Sequence, residues 1–175
     1  MGGYGGQLAL VVVLILLNAV FAGSEMALVS LRDSQLQRLE QQSRSGAVLA
    51  RLARDPNRFL ATIQIGITLA GFLASAAAAV SLAQPLIGPL GFLGSAASPA
   101  AIALVTLVLT FFTLVIGELA PKRIAMQRAE GWALAVARPL DTLATVTRPV
   151  VWLLGKSSDL VVRMAGADPQ AARDE

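Results

Sequence analysis

Two carboxylates, Glu25 and Glu118, carry the only formal side-chain charges in residues 1–31 and 59–121. Oxygen groups accompany both. Asn18, Ser24 and Ser30 share the first segment with Glu25; Asn18 and Glu25 lie seven residues apart, on one helix face with Ala22 as a small surface between them. The second segment holds Thr62, Gln64, Gly66, Thr68 and Gly71, a composition that leaves backbone carbonyls accessible. Broken helices with exposed carbonyls are a common way for transporters to ligate cations. At the end of the second stretch, Gly117 and Pro121 bracket Glu118, which favours an irregular helix end with carbonyls free to point at an ion. The chain has neither cysteine nor histidine, so thiolate and imidazole ligands are excluded. Any metal is therefore held by oxygen, which selects hard cations such as Mg²⁺, Ca²⁺ or Na⁺.

Each feature also has a packing explanation. Asn18 and Ser30 can bond across a helix contact, and glycines let helices approach. Glu25 can be a structural acid bonded near the charged mouth. Lys122, four residues after Glu118, can form an i,i+4 pair that anchors the helix end. These alternatives stand open beside the ligand reading.

The elements that must position these groups are membrane helices. The apolar fraction is 55 % with 14 % charged residues, against about 25 % charged in soluble globules. Residues 8–31, 59–83 and 99–119 form apolar runs, each near or above the ~20 residues that cross the hydrocarbon as a helix. Helices are required because lipid offers backbone groups no partner. A charge near the bilayer centre costs roughly 2.5–3.5 kcal/mol, so the two acids mark function by default. The fold class expected is an all-α membrane protein: three transmembrane helices plus amphipathic cytoplasmic juxtamembrane helices.

All fourteen Lys and Arg residues fall in 32–58 and 122–175, while 84–98 is uncharged. The positive-inside rule then places the N-terminus outside, 32–58 in the cytoplasm, 84–98 outside and the C-terminal region in the cytoplasm. The protein is expected in the cell's inner (plasma) membrane. The opening residues MGGYGGQ lack the basic n-region of a secretory signal, so the first run reads as a retained span. The basic residues lie beside apolar spans, which points to the bilayer surface and away from nucleic acid. Residues 34–54 read as an amphipathic helix pair loosened near Gly46, lying along the interface or forming a solvated hairpin. Residues 122–165 read as interfacial helices punctuated by Arg138-Pro139 and Arg148-Pro149, with Trp132 and Trp152 at headgroup level. The domain occupies 1–165, and 166–175 looks like a shortened linker to a cytosolic domain.

The segments FAGSEMAL (21–28), TIQIGITLAG (62–71) and GELAPKRIA (117–125) together resemble the transmembrane domain of the CorC and cyclin M (CNNM) family. The similarity spans about residues 5–165. The resemblance implies a dimeric Mg²⁺ exporter that couples Mg²⁺ exit to Na⁺ uptake, with a belt of juxtamembrane helices and a following cytosolic pair of ATP-binding CBS modules. It also implies a Mg²⁺ site among the three segments. Ser24 and Glu118 would be side-chain ligands, and Asn18, Gln64, Gly66, Thr68 and Gly117 further candidates, the glycines through their carbonyls. Glu25 would serve the Na⁺ route or support the site from behind.

Two other readings use the same residues. A membrane anchor or assembly module would bond Glu25 and Glu118 to helix partners, and a proton-coupled cation carrier would titrate them. No nucleophile–base pair, phosphate loop or cofactor motif appears, so an enzyme is not expected.

Overall fold

The computed structural model describes residues 3–166, with side chains from residue 5 onward, so the expected linker 166–175 lies outside the described residues apart from Gly166. The described chain is helical throughout. Helix α1 runs Gly3–Ser30, α2 Asp33–Gln42, α3 Arg44–Ala53 and α4 Pro56–Ser81. After the short α5 (Gln84–Ile87) and a 3₁₀ segment at Gly91–Ala96, α6 runs Ala97–Leu114. A π-helical turn at Val115–Leu119 leads into α7 (Ala120–Gln127), and α8 (Ala129–Val146) and α9 (Arg148–Met164) follow. The stretches Gly5–Val29, Pro56–Ser81 and Gly91–Gln127 are long and apolar enough to cross a membrane.

Two apolar clusters hold the helices together. At the uncharged end, Val11 and Ile15 pack with Ala78, Ala101, Val105 and Leu109. At the arginine-bearing end, Phe21, Leu28, Phe59 and Ile63 pack with Leu39, Leu49 and Leu52 of α2–α3 and with Ala133, Ala137 and Leu140 of α8. Alanine dominates the contacts: Ala22 on α1 and Ala70, Ala74 and Ala78 on α4 are all 2 % exposed or less. Small residues of this kind permit close approach where lipid supplies no hydrophobic drive between helices. The outward faces carry Leu8, Val13, Leu69, Phe72, Leu107 and Phe111, which are exposed.

The charged end is a belt of shorter helices tied by ion pairs. Arg38 reaches Glu130 at 2.6 Å, Arg51 reaches Asp141 at 2.7 Å and Arg54 reaches Glu40 at 2.6 Å. The break between α2 and α3 falls at Ser43, whose Oγ caps α3 by accepting from Gly46 N at 3.0 Å. Gly46 itself is inside α3, where a Cβ would lie 1.8 Å from Leu39 O. Its role is close backbone approach, and the cap, three residues earlier, makes the turn.

In α8, Pro139 does not interrupt the helix. The carbonyl its missing N–H would have served belongs to Ala135; both residues are exposed, so solvent can supply the lost donor. The interruptions occur at Arg128 (φ −131°, ψ 41°), between α7 and α8, and at Thr147, between α8 and α9, where Arg148-Pro149 opens the next helix as expected.

Candidate cation site

Pro121 shapes the third span's irregular end. In a regular helix the carbonyl of Gly117 would accept from residue 121, but proline has no N–H and its ring crowds the carbonyl four residues back. The helix widens into the π turn Val115–Leu119 just before it, and such turns often mark functional sites. Asn18 of α1, 1 % exposed, donates from Nδ2 to the Gly117 carbonyl at 3.1 Å. A Cβ at Gly117 would sit 3.3 Å from that nitrogen, so glycine permits the approach. Asn18 Oδ1 is buried without a hydrogen-bond partner. A buried acceptor left in this state costs about 1–3 kcal/mol, which a cation would recover.

The two acids have different surroundings. Glu25 Oε2 lies 3.2 Å from Lys122 Nζ, with both side chains about 30 % exposed (29 % and 30 %). Lys122 thus turns across to α1 and does not form the i,i+4 pair with Glu118. Glu118 has no hydrogen bond or ion pair among the described residues. It lines a groove of about 320 Å³ between α4 and α6, together with Thr68, Ser75, Thr110 and Thr113. The hydroxyls of Ser75, Thr110 and Thr113 were not anticipated from sequence. The spacing of Thr110 and Thr113 on the face that leads to Glu118 was the available signal.

Ser24 is 1 % exposed; its Oγ donates to Val20 O at 2.6 Å and accepts from Trp132 Nε1 at 3.4 Å. Trp132 is therefore tucked against α1 and half-buried. The fit depends on Gly23, where a Cβ would lie 2.3 Å from Trp132 Cζ2. Trp152, by contrast, is 65 % exposed.

Contacts place the candidate ligands as follows. Asn18 meets Gly117, Glu118 shares a groove with Thr68, Ser24 meets Trp132, and Glu25 meets Lys122. Gln64 is exposed and contacts Thr68 Oγ1 at 3.4 Å. Gly66 is explained by packing, since a Cβ there would stand 2.7 Å from the Phe21 ring. Among the described residues no three His, Cys, Asp or Glu side chains group to hold a metal. A cation held here would bind one carboxylate and several neutral oxygens, which suits a hard ion.

Comparison with known proteins gives a consistent picture. Residues 9–175 match the family model described as the cyclin M transmembrane N-terminal domain. The chain is 40 % identical over 170 residues to the UPF0053 protein sll0260 of Synechocystis sp., covering 95 % of this chain and 38 % of that protein. It is 36 % identical over 172 residues to the UPF0053 protein YhdT of Bacillus subtilis, covering 96 % and 37 %. The UPF0053 inner membrane protein YfjD of Escherichia coli is 32 % identical over 151 residues, covering 86 % and 33 %. The chain spans about two fifths of the length of the first two of these relatives.

Proposed function

The chain belongs to the cyclin M transmembrane-domain family, and on that premise we propose that it is the membrane domain of a Mg²⁺ transporter, exporting Mg²⁺ in exchange for Na⁺. The observation that carries this reading is Glu118. It is a carboxylate without a partner among the described residues, next to a π turn and lining a hydroxyl-bearing groove, in an otherwise uncharged span. Beside it, Asn18 keeps a buried oxygen without a donor. Glu118, Asn18 Oδ1, the Gly117 carbonyl and Ser24 supply oxygen for an ion stripped of part of its water, with Thr68 and Gln64 along the groove. Mg²⁺ demands near-octahedral oxygen at about 2.0–2.1 Å, so the helices draw together around it. Glu25, paired with Lys122, serves the Na⁺ route or supports the neighbouring Ser24.

The same proposal sets the surroundings. The arginine-bearing end faces the cytoplasm, on the inner (plasma) membrane side with the positive charge, and the N-terminus lies outside. Hydroxyls and a carboxylate facing hydrocarbon are costly, so a second copy of the chain covers the α4/α6 groove in a homodimer. ATP-binding CBS modules follow in the cytosol, as the resemblance implies.

The test is Mg²⁺-dependent thermal stability of the purified domain. A site filled at a hundred times its Kd adds about 2.7 kcal/mol. Glu118→Gln is expected to fold and dimerise but to gain no stability from Mg²⁺ and to carry no flux. Wild-type stabilisation in that variant sinks the assignment. No stabilisation in the parent protein favours a membrane anchor instead.

A further inference from the structure

Three arginines of the short-helix belt are spent on carboxylates: Arg38, Arg51 and Arg54 each hold one at 2.6–2.7 Å. A different arrangement occurs where α4 begins beside α9. There a cleft of about 630 Å³ is lined by Arg58, Arg148 and Lys156, within the roughly 300–1,000 Å³ of small-molecule sites. Arg148 and Lys156 pair with no carboxylate among the described residues. Arg58 is fixed by an Nη2 donation to Ala144 O at 2.9 Å, while its Nε is buried with no hydrogen-bond partner.

Two acids also line the cleft, Asp55 and Asp159. Asp55 is engaged as the cap of α4, its Oδ1 accepting from Arg58 N at 3.2 Å. Three cations less two carboxylates leave the cleft at +1 in formal charge. Its depth is set by sequence: Arg58 is the last charged residue before the uncharged run 59–117. The remaining wall is mostly apolar, with Val151, Leu154 and Trp152, and carries the neutral polar groups Asn57 and Ser158. Outside it, α9 presents Val150 and Leu153, 45 % and 57 % exposed.

We propose that this cleft binds the phosphodiester headgroup of an anionic phospholipid from the leaflet on the arginine-bearing side. The lipid's acyl chains would lie along the exposed apolar residues of α9. Guanidinium groups match phosphate oxygens with paired donors, basic pockets beside membrane helices hold lipid headgroups, and tryptophan suits that depth. A soluble phosphate would use the same cations but leave the apolar shelf bare. The inference is independent of the Mg²⁺ reading, because no residue is shared between the two sites.

The test is native mass spectrometry of the detergent-solubilised full chain titrated with phosphatidylglycerol, with phosphatidylcholine and glycerol phosphate as comparison probes. The parent protein is expected to retain phosphatidylglycerol at least tenfold more strongly than phosphatidylcholine and to ignore glycerol phosphate. R148Q/K156Q should lose that preference while its circular-dichroism melting stays unchanged. R123Q/R138Q removes the same charge from exposed positions outside the cleft and should keep it. Equal loss in the two double variants means diffuse attraction and overturns the proposal. Equal retention of phosphatidylcholine, or competition by glycerol phosphate, overturns the anionic-lipid assignment.

Discussion

Gly23→Ala is the sharpest probe of how the belt of short helices reaches the site. The new Cβ would stand 2.3 Å from Trp132 Cζ2 and 2.6 Å from Cε2. Carbon atoms rest at roughly 3.5–4.0 Å, so the indole must retreat by about 1.2 Å, or α1 and α8 must separate by as much. The Trp132 Nε1–Ser24 Oγ contact is already long at 3.4 Å and does not survive that shift. Overpacking costs about 1–3 kcal/mol. Because the indole is only half-buried and has room to move outward, about 1–2 kcal/mol is expected.

The assay is reversible unfolding of a W152F background, where Trp132 is the only tryptophan and reports its own environment. G23A should lower stability by that amount and red-shift the emission. A cycle with W132A isolates the contact: the alanine at 23 should cost at least about 1 kcal/mol less once the indole is gone, within the range seen for neighbouring residues. An unshifted spectrum with full stability, or the same cost in the W132A background, would refute the reasoning.

Two further outcomes follow from the same geometry. Asn18→Ala removes the buried bond to Gly117 and should cost about 0.6–1.7 kcal/mol, from the average to the maximum found for polar contacts between membrane helices; unchanged unfolding would mean the bond carries no weight. Gly46→Ala puts a methyl 1.8 Å from a backbone oxygen that cannot swing aside, so a cost near the upper end of overpacking, about 3 kcal/mol, is expected in the same unfolding assay, and a neutral result would place the α2–α3 turn elsewhere.

The three spans were legible because hydrophobicity is additive along the chain: runs without charge need no knowledge of their neighbours. The two acids stood out for the same reason. What decides their roles was not legible, because it depends on pairs remote in sequence. Asn18 and Gly117 are 99 residues apart, and Lys122 chooses Glu25 on another helix over Glu118 on its own chain segment. Local signals also misled where context absorbed them. Pro139 reads as a stop, yet its unserved carbonyl is exposed, so α8 continues. Gly66 was singled out for its carbonyl; that the Phe21 ring also requires a glycine there was not legible, because Phe21 lies on another helix.

The alanine contacts of α4 have a mechanical consequence. Ala70, Ala74 and Ala78 present a nearly smooth rail on α4, and the longer side chains at that contact, such as Ile15 and Leu109, come from the helices facing it. Shear of packed helices is a standard mode of domain motion, and a smooth rail lowers the friction against it. The other end is clamped by three arginine–carboxylate pairs and by an aromatic ring fitted into a glycine slot. Displacement is then expected to concentrate in the uncharged half, pivoting about the clamped belt. Paired spin labels at exposed Val13 and Leu73 should show a broad distance distribution, and labels at exposed Gln37 and Arg138 a narrow one; equal widths would rule the pivot out.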